Sequence, residues 1–184
     1  MHKVAVIVGS LRKASRNKEL AKALMKLAEG KLDCRMISID DLPLLNGDKV
    51  NDPPPPVLRF KEEVEACDAV LFVTPEHNRS IPAAMKNAFD WGSRPLSRNS
   101  WHGKPAAITG TSGGRISTAL AQQAMRTIAA DHVIALLGSP EAFIQYQEGM
   151  FGEDGTPTDE KTRKFLQTFV DRFAELVEAM AGKK

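Results

Sequence analysis

Short β-branched apolar runs alternate along this chain with longer stretches of helical spacing. "KVAVIVG" (3–9) is apolar throughout and reads as a central parallel strand, buried on both faces. Leu20, Ala23, Leu24, Leu27 and Ala28 then recur at helical intervals, with Gly30 as the stop. "CRMISID" (34–40) alternates like an edge strand. A long loop at 41–56 ends in polyproline, which neither a helix interior nor a central strand accepts. An amphipathic helix at 57–67 precedes a third strand, "DAVLFVT" (68–74). Ile81, Ala84, Met85, Ala88 and Phe89 keep helical spacing after Pro82, a first-turn residue. "KPAAITG" (104–110) is a fourth strand, 117–130 a helix, and "HVIALLG" (132–138) a fifth strand. In the last helix, Thr156 and Asp159 resemble a capping box, and Pro157 takes the first helical position. Phe165, Phe169, Phe173, Leu176 and Met180 then line one face.

Strands alternating with helices predict a parallel sheet covered on both faces. The fold class expected is α/β: a flavodoxin-like three-layer αβα sandwich with a five-stranded parallel sheet in the order 2-1-3-4-5. No repeat or linker divides the 184 residues, so 1–184 reads as a single domain. In that order the topological switch point lies between strands 1 and 3. Ligands bind there, outside the carboxyl ends of the strands. The loops at 9–17 and 75–81 should therefore face each other across one crevice.

Composition narrows the function classes. A net charge of +2 with basic residues scattered among acids argues against nucleic acid as a partner. No run approaches the length of a membrane span, and the N-terminal apolar run is too short for a signal peptide. Cys34 and Cys67 lack paired-cysteine spacing and fit a reducing cytoplasm. His2, His77, His102 and His132 show no metal-ligand spacing, so no metal site is expected.

The first loop, "VGSLRKASRN", brings Arg12, Lys13, Arg16 and then Lys18 to the start of a helix. Cations there oppose the helix dipole, so an anion should offset them. Gly9 and Ser10 permit a tight turn, Ser15 and Asn17 supply side-chain donors, and Arg12 can fork two bonds onto a phosphate. The stretch lacks the G-x-x-x-x-G-K-[ST] and G-x-G-x-x-G patterns, which favours a terminal monophosphate. The competing reading is that Ser15 merely caps the helix and the cations are solvated. The second loop, "TPEHNRSIPAAMKNAFDW" (74–91), offers Glu76, His77 and Asn78 as a polar edge for a flat ring. Phe89 and Trp91 read as core, and Lys86 with Asp90 as an i,i+4 pair. In the third loop, "GTSGGRIST" (110–118), Thr111 and Ser112 are donors, while Gly113 and Gly114 let a ring approach the backbone. Arg115 is a further candidate for a nicotinamide cofactor's phosphate.

"GSLRKASRN" joined to "PEHNRSIPAAMKNAFDW" resembles the NADPH-dependent FMN reductase family, in its branch of bacterial chromate and quinone reductases. That family typically shows G-S-x-R-x-x-S-x-N followed by P-E-Y-N-x-S-x-P-x-x-L-K-N-A-x-D-W, and the likeness runs over essentially the whole chain. The resemblance implies a flavoprotein with FMN, NADPH or NADH as co-substrate, and a homodimer or homotetramer. It places Ser10, Leu11, Arg12, Ser15 and Asn17 on the phosphate side. It places Pro75, Glu76, His77, Asn78 and Arg79 along the ring, and Thr111, Ser112, Gly113 and Gly114 at the ring's pyrimidine end. His77 stands where tyrosine is usual, and Ala83 where glycine is. The expected cycle is ping-pong: hydride passes from the nicotinamide to FMN, and electrons then pass to a quinone, chromate or another small oxidant. It needs no side-chain catalyst. Two alternatives are a flavodoxin-type electron carrier, disfavoured by the positive net charge, and an FMN reductase that releases reduced flavin to a partner.

Overall fold

The computed structural model describes residues 1–133 and 135–181. Strands β1 (His2–Val8), β2 (Leu32–Ile37), β3 (Ala69–Val73) and β4 (Pro105–Ser112) are parallel neighbours in the order β2-β1-β3-β4. The fifth place, expected as one strand at 132–138, is shared by two short strands. β5 (Ala135–Leu136) pairs the first half of β4, and β6 (Ala142–Gln145) pairs the second half. The expected fifth strand also spans residue 134, which lies outside the described residues. The order 2-1-3-4-5 therefore stands, with a sixth strand that the apolar pattern did not announce. In "EAFIQY" (141–146) three apolar residues run together without alternation and are too few to mark a strand.

The helices are α1 (Arg16–Leu27), α2 (Pro55–Glu65), α3 (Ala83–Gly92), α4 (Ala119–Ala129) and α5 (Glu160–Met180). Alternation along β1 divides them into two layers. Val4, Val6 and Val8 face α1 and α5, whereas Ala5 and Ile7 face the side of α2, α3 and α4. Each face carries its own apolar cluster, which is why β3, most of β1 and nearly all of β4 are buried at consecutive positions. Phe89 and Trp91 are core residues, as their spacing predicts. Phe89 stacks on Trp101 at 5.3 Å, and Phe60 and Phe72 meet Trp101 edge-on.

Two expectations are corrected at element ends. Pro55 and Pro56 open α2 rather than finishing the loop, because prolines in a first turn forfeit only N–H groups that have no helical partner. At the last helix Asp159 itself is the cap, its carboxylate accepting from the Thr162 N–H at 2.7 Å. Pro157 instead lies in a bridge with Phe151. The buried face of α5 is consequently Leu166, Phe169, Val170, Phe173 and Val177, and Phe165 is exposed. The 41–56 segment is strapped to α3. Asn87 Nδ2 and Trp91 Nε1 both donate to the Pro43 carbonyl, and the Leu45 N–H donates to Asn87 Oδ1.

Candidate functional site

At the carboxyl edge of the sheet, the loops after β1, β3 and β4 are bound to one another by specific contacts. The Gly9 N–H donates to the Val73 carbonyl at 2.9 Å, which joins the first loop to the end of β3. The Asn17 amide donates to the Thr111 carbonyl at 2.9 Å and accepts from the Thr111 N–H at 3.0 Å. That joins the first loop to the third. Gly110 lets the second and third loops close: a Cβ there would stand 2.0 Å from the Thr74 carbonyl oxygen, where nothing can yield. Glu76 completes the set. Its Oε2 accepts from the N–H groups of Leu120 at 3.0 Å and Ala121 at 3.1 Å, capping α4, whose own cap residue Thr118 leaves those N–H groups uncapped because its Oγ1 accepts instead from the Gln122 amide.

These contacts sort the expected residues by what remains free. Ser15 is buried and caps α1, its Oγ accepting from the Lys18 N–H at 3.2 Å. Its hydroxyl proton is still available to donate, so capping and anion binding coexist. Both arms of the buried Asn17 amide are engaged by Thr111, so Asn17 braces the loop and offers an anion only its backbone N–H. Among the described residues no protein acceptor meets the N–H groups of Arg16 and Asn17, which open the helix. Ser10 is half-buried, and Leu11 and Arg12 are exposed beside it. The Thr111 hydroxyl is spent on the Ile144 carbonyl, and Ser112 Oγ donates to Ser117 O and accepts from the Gly114 N–H.

Glycine at 113 and 114 is not demanded by the chain itself. Neither has a positive φ. A Cβ at Gly113 would meet only the Arg16 guanidinium at 3.3 Å, and one at Gly114 only Ser112 Oγ at 3.6 Å. What their bareness preserves is an exposed stretch of backbone that a flat group can approach closely. In the second loop the His77 and Ser80 backbones exchange two hydrogen bonds at 3.0 Å. Asn78 (φ 50°) and Arg79 (φ 65°) between them form a two-residue hairpin of the I′ kind. Pro75 is half-buried at its base, and His77 is exposed. Ala83 is the exposed first residue of α3, where alanine serves a helix better than the glycine usual in the family.

Three participants are not singled out by the sequence motifs: Tyr146, Glu19 and Gly110. Arg16 stacks on the ring of Tyr146 at 4.5 Å, and the Tyr146 hydroxyl donates to Glu19 at 2.9 Å. That bond to a carboxylate pushes the tyrosine's pKa above its usual range. Gly110 is the third. A single tyrosine in the chain was the available signal for Tyr146; nothing in its spacing ties it to residue 16.

The assembled edge offers two unsatisfied N–H groups at a helix start, one free hydroxyl proton, exposed guanidinium groups and bare glycine backbone. This donor set suits a phosphorylated flat ring such as FMN. The profile of the NADPH-dependent FMN reductase family matches residues 2–149. The chain is 45% identical over 175 residues to a 2-hydroxy-1,4-benzoquinone reductase of a Burkholderia species, covering 95% of this chain and 96% of that protein. It is 46% identical over 178 residues to a quinone reductase of Pseudomonas putida, covering 96% and 95% respectively. Among solved structures it is similar to FerB, a flavoenzyme NAD(P)H:(acceptor) oxidoreductase from Paracoccus denitrificans. There the TM-score is 0.93 at 49% identity, with 98% of this chain and 99% of that chain covered. On this evidence of sequence and fold together, the chain belongs to the NADPH-dependent FMN reductase family.

Proposed function

We propose that this protein is an FMN-dependent NAD(P)H:quinone oxidoreductase. The observation that carries the reading is the Asn17–Thr111 clasp. It sets the two free N–H groups of Arg16 and Asn17 and the bare backbone of Gly113–Gly114 at one edge, although 94 residues separate the clasped pair. When bound, FMN supplies the hydride and electron chemistry. The chain's own work is positional. Arg16 and Asn17 N–H groups, the Ser15 hydroxyl and the Arg12 guanidinium hold the phosphate. Gly113 and Gly114 admit the ring, and the 77–80 hairpin borders it. Glu76 fixes that hairpin's base against α4, so the second and third loops keep their separation as substrates come and go. No side chain acts as acid or base, and quinone protons come from water.

Quinones are the acceptor class because the relatives at 45% and 46% identity carry that activity in their names. Chromate and free flavins are further acceptors for an open slot. The cytoplasm is its proposed site, on the free thiols Cys34 and Cys67. A homodimer or homotetramer is its proposed state, with the strapped 41–56 loop and the exposed Leu44 in a contact.

The test uses the purified protein without oxygen. A yellow preparation that NADPH bleaches and 1,4-benzoquinone recolours supports the reading. Flavin that stays oxidised under NADPH makes it a carrier, and a colourless protein indifferent to added FMN overturns it.

A further inference from the structure

Among the described residues, three that are not glycine hold a positive φ: Asn78 at 50°, Arg79 at 65° and Ser117 at 51°. Left-handed backbone is disfavoured for any residue with a Cβ, so each position requires a compensating reason. Asn78 has one in its own chemistry, since asparagine tolerates this region better than other side chains. Ser117 has one in its surroundings: it is buried, and its hydroxyl donates to the Ile144 carbonyl at 2.5 Å, which holds β6 in place.

Arg79 has neither. Its side chain is 69% exposed, and it makes no hydrogen bond among the described residues. Its closest acid is Glu76, 3.9 Å away and already engaged by α4 through its other oxygen. Arg79 also occupies the second central position of a I′ hairpin, directly after an asparagine, where glycine gives the least strained turn. The fold therefore holds an arginine where a glycine would fold better. What it presents at the hairpin tip is a planar, permanently charged fork suited to a phosphate.

We propose that Arg79 is a specificity-determining residue that binds the 2′-phosphate of NADPH and so sets preference over NADH. The inference rests on the NAD(P)H-linked reading above. The two nucleotides differ by one phosphate on the adenosine ribose, remote from the nicotinamide, so its recognition belongs at the rim of the site rather than inside it. The FMN phosphate does not compete, since the start of α1 carries its own donors on the first loop. Arg12 lies with those donors. Arg115, also exposed on the third loop, occupies ordinary backbone and bears no strain that calls for a reason.

The experiment compares the wild-type holoenzyme with Arg79→Gly and Arg79→Lys. Steady-state kinetics give kcat/KM for NADPH and for NADH, calorimetry gives Kd for NADP+ and NAD+, and a thermal melt reports on the fold. In Arg79→Gly the NADPH-to-NADH ratio of kcat/KM should fall about tenfold or more, the scale of a charge-assisted bond to phosphate. NADP+ should weaken in parallel, and the glycine variant should melt no lower than the wild type. Arg79→Lys should fall between, because it keeps the charge and loses the fork. A ratio within twofold of the wild type in Arg79→Gly overturns the assignment, as does a lower melting temperature, which would give Arg79 a structural reason. A wild type that oxidises neither nucleotide overturns this inference and the proposed function together. One that oxidises both, with an unmoved ratio in the variant, sinks Arg79 alone.

Discussion

Asn17 grips the peptide of Thr111 with both ends of its side-chain amide, donating to the carbonyl at 2.9 Å and accepting from the N–H at 3.0 Å. The pair is buried at the point where α1 begins and β4 ends. Replacing Asn17 with alanine leaves the carbonyl and N–H of Thr111 unsatisfied in a buried setting, a loss of about 2–4 kcal/mol. For a chain of this size that lowers Tm by roughly 5–15 °C. Thermal denaturation without added flavin checks this, and an unshifted Tm would show that the clasp contributes nothing to folding.

Glu76 is the corresponding brace for the second loop. Its carboxylate supplies the cap that Thr118 does not, and its negative charge complements the start of α4. Glu76→Ala should cost about 1–2 kcal/mol, the usual scale of a lost cap, and Glu76→Gln clearly less, since an amide oxygen still accepts. Urea denaturation of the three proteins orders them. Coincident curves would detach Glu76 from the stability of α4.

How legible was all this in the sequence? The core of the fold was readable because β1, β3 and β4 are buried on both faces, and such strands leave unbroken apolar runs like "VAVIV" and "AVLFV". The β5–β6 pair was not, because two strands of two and four residues carry too few positions for a period to emerge. The face of α5 was misplaced by one residue, since phenylalanines at 165, 169 and 173 satisfy helical spacing whether or not the first is covered. The topology places the three loops at one edge of the sheet, and the structure joins them there by hydrogen bonds. The division of labour within them was not legible, because Asn17 and Glu76 look like ligand donors until the chain's own N–H and C=O groups are seen to occupy them.

Arg12 remains uncommitted after that division: it is exposed and has no protein hydrogen bond among the described residues. If it forks onto the FMN phosphate, Arg12→Ala should weaken FMN binding by about 10–100-fold, the equivalent of about 1.5–3 kcal/mol. Fluorescence titration of the flavin-free protein with FMN measures it. The same titration with riboflavin should show no difference between wild type and variant, since riboflavin lacks the phosphate. Equal FMN affinity in both proteins would remove Arg12 from the site.

Lys61 supplies a pH test of the fold that is independent of the flavin. Only 1% of the residue is exposed, and its Nζ donates to the carbonyls of Gly92 at 3.1 Å and Arg98 at 2.7 Å, joining α2 to the end of α3. Burial pulls its pKa down to about 8, with the Arg98 charge acting in the same direction and Glu65 opposing both. The unfolded chain restores the ordinary lysine value near 10.4. Between those two values the unfolded state therefore holds a proton that the folded state has released, and stability rises with pH. The neutral amine keeps two N–H donors for the two carbonyls, so releasing the proton does not break the contact. Lys61→Met removes the titrating group at similar length. The stability of the wild type, measured against that variant by urea denaturation, should increase by up to about 2 kcal/mol from pH 8 to pH 9.5. A difference that stays flat, or that shrinks as the pH rises, would mean that Lys61 folds with its proton held at least as firmly as in water.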